Sequence, residues 1–229
     1  MKYHLPKTVV VALGGSIVFP DSINWHYLKL LRTNIKRWSK TRRFILVLGG
    51  GSLARIYQEA ALHVSSVTTE DKDWLGIHAT RCNAHLVRTV LRDISDPVII
   101  DARHKLKKLT HPVTIASGWR PGWSTDYIAV ALAQDFNTGV AVIAGKPSHV
   151  YDKDFTKFKN AKPFDELTWK KYRTLAPKKW SPGLHAPVDP VAAALAQKQG
   201  IDAIVLDGRN IQNFEALLKG QDFEGTLIS

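Results

Sequence analysis

The chain's 229 residues, 45% hydrophobic and 23% charged, suffice for one large α/β domain with a substantial core and argue against a disordered, collagenous or coiled-coil protein. A single cysteine, Cys82, leaves no internal disulfide and no multi-cysteine zinc site, and fits a reducing compartment, the cytoplasm by default. Thirty-two Lys and Arg against 20 Asp and Glu give a net charge of +12, which attracts polyanions but, scattered in short clusters, names no single partner.

Thr8 to Leu13 (TVVVAL), ended by Gly14-Gly15-Ser16, predicts a strand buried on both faces and then a tight turn. The glycines break this apolar run and no small-residue cleavage pattern follows, so neither a signal peptide nor a membrane span is expected. Ile23 to Trp38 carries apolar residues at helical spacing. Arg43 to Leu48 (RFILVL) reads as a second buried strand, whose Gly49-Gly50-Gly51-Ser52 opens a helix from Leu53 to about His63. Two such strand, glycine-turn and helix units indicate an α/β fold with a largely parallel sheet. Asp73 to Arg92 predicts a long helix with Ile77, Cys82, Leu86, Val90 and Leu91 on its apolar side. Pro97 to Ile100, Pro112 to Ala116 and Gly139 to Ala144 read as strands, with a helix from Asp126 to Gln134 before the last. Lys146 to Lys179, lysine-rich and broken by prolines, reads as an excursion from the core. A helix from Pro190 to Gln199, a strand from Ala203 to Leu206, a helix from Gln212 to Lys219 and a strand from Gly225 to Ile228 complete the order, with no internal repeat.

Strand, glycine and helix turns suit phosphate, because bare backbone amides approach an anion and the helix start adds partial positive charge. Neither turn is a Walker loop, since no lysine follows the glycines in that spacing. Gly49, Gly51, Ala54 and Glu70 satisfy a dinucleotide fingerprint only weakly, and that reading leaves the similar turn at Gly14 unexplained. The plainer alternative is that tight packing alone requires these glycines. Gly118 to Asp126 (GWRPGWSTD) joins turn formers, a cation, hydroxyls and a carboxylate ahead of an apolar helix. Capping explains Ser124, Thr125 and Asp126 but does not call for Arg120 or two tryptophans. The nine histidines show no metal spacing. His78 and His85, two helical turns and about 10 Å apart, are too distant to share one ion. Trp25, Trp38, Trp74, Trp169 and Trp180 read as core or interface, and no aromatic and basic motif of an RNA-binding module is present, so a nucleic-acid partner is not expected.

Leu13 to Ser16, Gly49 to Arg55, the run Asp73 to Ala84 (DWLGIHATRCNA), Pro121 to Asp126, Val150 to Asp154, Val188 to Ala193 and Gly225 to Ile228 occur in an order that resembles the amino acid kinase family, and within it the archaeal-type uridylate (UMP) kinases. The resemblance implies a three-layer α/β/α sandwich with a largely parallel central sheet. It also implies one domain over 1–229, its acceptor-nucleotide lobe about 1–137 and its ATP lobe about 138–229, phosphorylation of UMP by ATP with Mg2+, and a homo-oligomer, hexamer or dimer. Carried over by motif, Gly14, Gly15, Ser16, Gly50 and Gly51 would donate backbone amides to phosphates and Arg55 would contact the acceptor phosphate. Asp73 and Gly76 would lie by the ribose and uracil, Gly122 and Thr125 would close on the acceptor, Asp126 would be the organising carboxylate, and Tyr151 and Asp154 would border ATP. No residue is expected to form a metal site of the protein's own.

Ala12 and Ser52 stand where the resemblance leads one to expect a lysine at one or the other position, and Ser148 where it leads one to expect Asp. Trp123 replaces a histidine of the pattern. A cation at the transferred phosphoryl group would then come from Arg120, oriented by Asp126, from Lys146 or from Lys7. Two functions compete: a UMP kinase, and a nucleotide-binding relative that kept the fold and lost or altered the chemistry. An oxoanion-storage or isoprenoid-phosphate kinase relative is a third, weakened by Arg55 where a histidine is expected.

Overall fold

The computed structural model describes residues 1–176 and 186–229. In chain order the elements are β1 (Thr8–Leu13), α1 (Gly15–Val18), α2 (Trp25–Trp38), β2 (Arg43–Leu48), α3 (Gly51–Val64), α4 (Thr69–Val90), β3 (Ser95–Ile100), β4 (Val113–Ala116) and α5 (Thr125–Asp135). There follow β5 (Val140–Gly145), β6 (Val150–Tyr151), β7 (Pro163–Phe164), β8 (Glu166–Leu167), α6 (Trp169–Leu175), α7 (Pro190–Gln199), β9 (Asp202–Asp207), α8 (Ile211–Leu218) and β10 (Thr226–Ile228). Eight strands form one sheet in the order β3-β4-β2-β1-β5-β9-β10-β8, parallel except where β10 meets β9; β6 and β7 form a separate antiparallel pair.

Alternation along the strands supplies both faces of the sheet. Val9, Val11, Leu13, Phe44, Leu46 and Leu48 point into a core closed by α2, α4 and α8. Val10, Ala12, Ile45 and Val47 point into the other, closed by α5, α6 and α7. This is the expected three-layer α/β/α sandwich. Helix α5 is buried from Ile128 to Ala133, which explains why its sequence is apolar all round.

Three readings need correction. The long helix begins at Thr69, ahead of Asp73, because Thr68 and Asp71 form a capping box: the Asp71 amide donates to the Thr68 hydroxyl at 3.1 Å and the Thr68 amide to the Asp71 carboxylate at 3.1 Å. Its inner face is Ile77, Thr80, Asn83, Ala84, Val87 and Leu91, and Cys82 is exposed. The segment after Lys146 is an excursion only in its first part, where residues 152–166 are largely exposed and β6 and β7 pair apart from the main sheet; from Leu167 on it returns to the core, since Leu167, Trp169 and Tyr172 are buried and β8 joins the main sheet. Trp38 and Trp169 are core, Trp25 and Trp74 are exposed, and Trp180 lies outside the described residues.

Candidate active site

A cleft of about 1060 Å³ opens at the carboxyl ends of β1, β2 and β5, the end of a parallel sheet where ligands bind. Gly14, Gly15, Ser16, Gly50, Gly51, Arg55, Asp73, Gly76, Arg120, Thr125, Asp126, Lys146, Tyr151 and Asp154 all line it. Of the residues the sequence pointed to, Gly122 stands back from the wall. Its amide donates to the Asp73 carboxylate at 2.9 Å, and its φ of +82° suits glycine.

The two glycine turns touch. A Cβ on Gly15 would lie 2.1 Å from the Gly51 nitrogen, and one on Gly49 would lie 2.4 Å from the Gly15 nitrogen. Packing therefore demands these glycines, and the same bareness leaves amides facing the cleft. The Gly14 amide is spent on the Ala144 carbonyl at 2.9 Å, so it is not a phosphate donor. The amides of Gly15, Ser16, Gly50 and Gly51 have no protein acceptor among the described residues.

Helix α4 fixes the second glycine turn and the Gly118 loop through two buried polar residues to which the sequence reading gave no role. The Asn83 side-chain amide donates to the carbonyls of Gly49 at 2.8 Å and Gly50 at 3.1 Å. The Thr80 hydroxyl accepts the Gly118 amide at 2.7 Å and donates to the Ile77 carbonyl at 2.6 Å. The T-R-x-N spacing, with both polar groups on the inner face of a helix, is the signal that finds them.

Asp126 begins α5 at the cleft wall. Its carboxylate accepts the Asp189 amide at 3.3 Å, and Asp189 caps α7 by accepting the Val191 and Ala192 amides at 2.7 and 3.0 Å. Ser124 donates to the other Asp189 oxygen. Burial, and then the Asp189 charge, push the Asp126 carboxyl up to about 8. Asp189 is held in turn by Tyr172 on α6, whose hydroxyl donates to the Val188 carbonyl and accepts the Val188 amide at 2.8 Å. Asp189 and Tyr172 escaped the sequence reading because they approach Asp126 only through the packing of α6 and α7 on α5.

Asp126 does not orient Arg120. The guanidinium lies 4.2 Å from the centre of the Trp123 ring, in a cluster with Trp119 and Tyr127, and forms no ion pair with Asp126. Ser52 turns away from the cleft, its hydroxyl donating to the Phe19 carbonyl at 2.9 Å. Lys7 precedes β1 and so sits at the opposite end of the sheet, about 20 Å from the glycine turns for a strand of this length. That removes it as a substitute cation. On the far side of the cleft Tyr151 stacks on Phe155 at 4.8 Å, and its hydroxyl is 3.1 Å from that of Ser148. Hydrogen bonds from the Thr156 hydroxyl and amide hold Asp154 below its usual range. The carboxylates available do not form a metal cage: among the described residues there is no group of three or more His, Cys, Asp or Glu able to hold an ion.

Fold and site together define an α/β/α protein whose paired glycine turns and flanking cations are built for phosphate-bearing ligands. Residues 7–207 match the model of the amino acid kinase family, and the chain belongs to that family. It is similar to the uridylate kinase of Methanosarcina barkeri, with 31% identity over 96% of this chain and 95% of the relative, and to that of Methanocorpusculum labreanum, with 31% identity over 96% and 94%. The crystal structure of uridylate kinase from Archaeoglobus fulgidus superposes with a TM-score of 0.82 at 26% identity, covering all of both chains.

Proposed function

We propose that this protein is an ATP-dependent UMP kinase, transferring the γ-phosphoryl group of ATP to UMP to give UDP. The observation that carries the reading is one cleft that joins two glycine turns with free amides to Arg55, Asp73 and Asp126, in a chain that runs nearly end to end alongside uridylate kinases. Residues of about 1–137 supply the acceptor side and those of about 138–229 the ATP side.

Phosphoryl transfer asks little covalent chemistry of the protein, so its residues act by positioning and by electrostatics. The amides of Gly15, Ser16, Gly50 and Gly51 hold phosphate oxygens. Arg55, exposed on the first turn of α3 at the cleft wall, forks the acceptor phosphate. Asp73 and Gly76 border the ribose and uracil, and the Asp73 contact to Gly122 ties that wall to the loop that carries Thr125. Tyr151 and Asp154 border ATP, with Lys146 and Arg120 as the cations toward the transferred group. A magnesium ion would be carried by the ATP phosphates, with Asp126 on the cleft wall as a carboxylate to face it, and would neutralise phosphate charge.

A second reading, binding without turnover, is favoured by one observation: Asp126 meets the carboxylate residue Asp189, with Ala12 and Ser52 where a lysine is expected. A coupled assay with UMP, CMP and AMP as acceptors decides. UDP formation from UMP, with much weaker use of CMP and AMP, is expected. No UDP at high enzyme concentration, with ATP binding intact by calorimetry, assigns the second reading.

A homo-oligomer, dimer or hexamer, belongs to the same proposal. Helix α3 buries only Ser52, while Ile56, Tyr57 and Val64 are 51%, 57% and 86% exposed. An apolar helix left bare to this degree calls for a partner surface. Cytoplasmic residence is supported by the free, exposed Cys82. Among the described residues no helix is long and apolar enough to cross a membrane.

A further inference from the structure

A second concavity, of about 430 Å³, lies at the other end of the sheet. Its walls are Lys7 ahead of β1, the turn from Ser39 to Arg43 between α2 and β2, and Thr110 to Pro112 ahead of β4. These are the amino ends of three parallel neighbouring strands, so the pocket and the nucleotide cleft are separated by the length of the strands, about 20 Å.

The lining is dominated by positive charge. Lys7, Lys40, Arg42 and Arg43 all face it, and among the described residues none of the four forms an ion pair. Arg42 is fixed without being neutralised. Its guanidinium donates to the carbonyls of Leu5 at 3.0 Å, Pro6 at 2.8 Å and Leu218 at 2.6 Å, all uncharged acceptors. The Arg43 amide donates to the Lys7 carbonyl at 2.8 Å, which ties together the two segments that carry these exposed cations at the pocket. Like charges lining one pocket repel unless something answers them. Asp96, which meets His111 and Thr110 of the lining, is buried and already engaged, by His111 at 3.1 Å, by the Val98 amide at 2.8 Å and by the Thr110 hydroxyl at 3.3 Å. No Phe, Tyr or Trp lines the pocket, so it lacks a platform for a base and is suited to a chain of phosphates.

We propose that this pocket is a second anion site, distinct from the nucleotide cleft, that takes an oligophosphate chain, either free inorganic triphosphate or the tail of a nucleoside triphosphate. Four converging cations match the charge of a triphosphate. The site stands on its own geometry and does not depend on which nucleotide the cleft phosphorylates.

Titration calorimetry of the full chain with inorganic triphosphate tests it, comparing the wild type with Lys40→Ala/Arg43→Ala and with a control, Lys170→Ala/Lys198→Ala. All four side chains are exposed and outside the cleft, so both variants keep the fold and the wild-type rate. Two equivalents are expected to bind the wild type and the control. In the Lys40/Arg43 variant the second equivalent weakens by at least about tenfold, the effect of losing charge-assisted contacts, while binding in the cleft is kept. A parallel titration with UTP separates the sources: a second equivalent sensitive to Lys40 and Arg43 assigns any triphosphate chain, and its absence assigns the free inorganic one. Binding of inorganic triphosphate that the Lys40/Arg43 variant leaves unchanged, or an equal loss in the control variant, overturns the proposal.

Discussion

Charge near Asp126 is set by single residues. With alanine at position 12, and with the Ser52 hydroxyl bonded to Phe19, the proposed reaction draws its cations from the cleft wall, where Arg120 and Lys146 stand. Arg120 is held by the face of Trp123, which restricts its position while leaving its donors free for phosphate. Arg120→Ala or Lys146→Ala is expected to lower kcat by at least about tenfold, roughly 1.4 kcal/mol of transition-state stabilisation. The melting temperature should scarcely move, because both side chains are exposed. Full turnover in both single variants and in the double variant would remove both residues from the chemistry. On the proposed assignment Arg55 serves the acceptor: Arg55→Ala should weaken UMP binding by about tenfold or more, the value of a charge-assisted fork, and leave ATP binding nearly unchanged. Calorimetry with each nucleotide checks this, and equal losses for both would contradict the assignment.

Helix α4 shows how an element serves both packing and site. It supports one glycine turn with Asn83 and the Gly118 loop with Thr80, while Asp73 at the cleft wall restrains Gly122. Asn83→Ala should cost about 2 kcal/mol, since it strips a donor from two carbonyls at a fully packed position. It should also raise KM for nucleotide as the turn loosens, and denaturant unfolding beside steady-state kinetics measures both effects. Strands β1 to β5, β9 and β10 were legible in the sequence as short apolar runs bounded by turn residues, and so were the paired glycine turns, while the two-residue strands β6, β7 and β8 are too short to leave a pattern. The start of α4 was missed although Thr68 and Asp71 spell out a capping box; attention to apolar spacing alone pushed the boundary to Asp73. The role of α6 was not legible, because lysines and prolines around it mask two buried anchors, Trp169 and Tyr172. Tyr172 lines the cleft and bonds Val188 next to Asp189, contacts made in space by packing of the layers. For the same reason the sequence paired Arg120 with Asp126, whereas the fold pairs Arg120 with Trp123 and Asp126 with Asp189.

At the scale of the whole molecule, the bare apolar side of α3 and the buried carboxylate of Asp126 each have a measurable consequence. Ile56→Asp/Tyr57→Asp should shift the protein to a smaller assembly by light scattering, while an unchanged mass would place the subunit contact elsewhere. The pH profile of stability follows from groups that move in opposite directions. Asp71, Asp93, Asp154 and Glu215, held below their usual ranges chiefly by hydrogen bonds from neighbouring side chains, bind fewer protons folded than unfolded in acid, so stability rises as pH climbs through their ordinary range near 4. Asp71, Asp93 and Asp154 are exposed and Glu215 is only half-buried, which keeps that rise small. Asp126 does the reverse. Its carboxyl is near 3.8 in the unfolded chain and about 8 in the folded one, so across that window the folded state holds a proton that the unfolded state has released. Stability then falls as pH rises from about 4 to about 8 and flattens above, because both states are ionised there. Calorimetric melting of the wild type should therefore show a maximum near the acid end of the range and a descending limb toward pH 8. In Asp126→Asn the descending limb should shrink, leaving the variant the more stable protein at pH 8 though a poor enzyme. Wild type and variant melting in parallel from pH 5 to pH 8 would mean that Asp126 is ionised throughout, with a cation rather than a proton answering its charge beside Asp189.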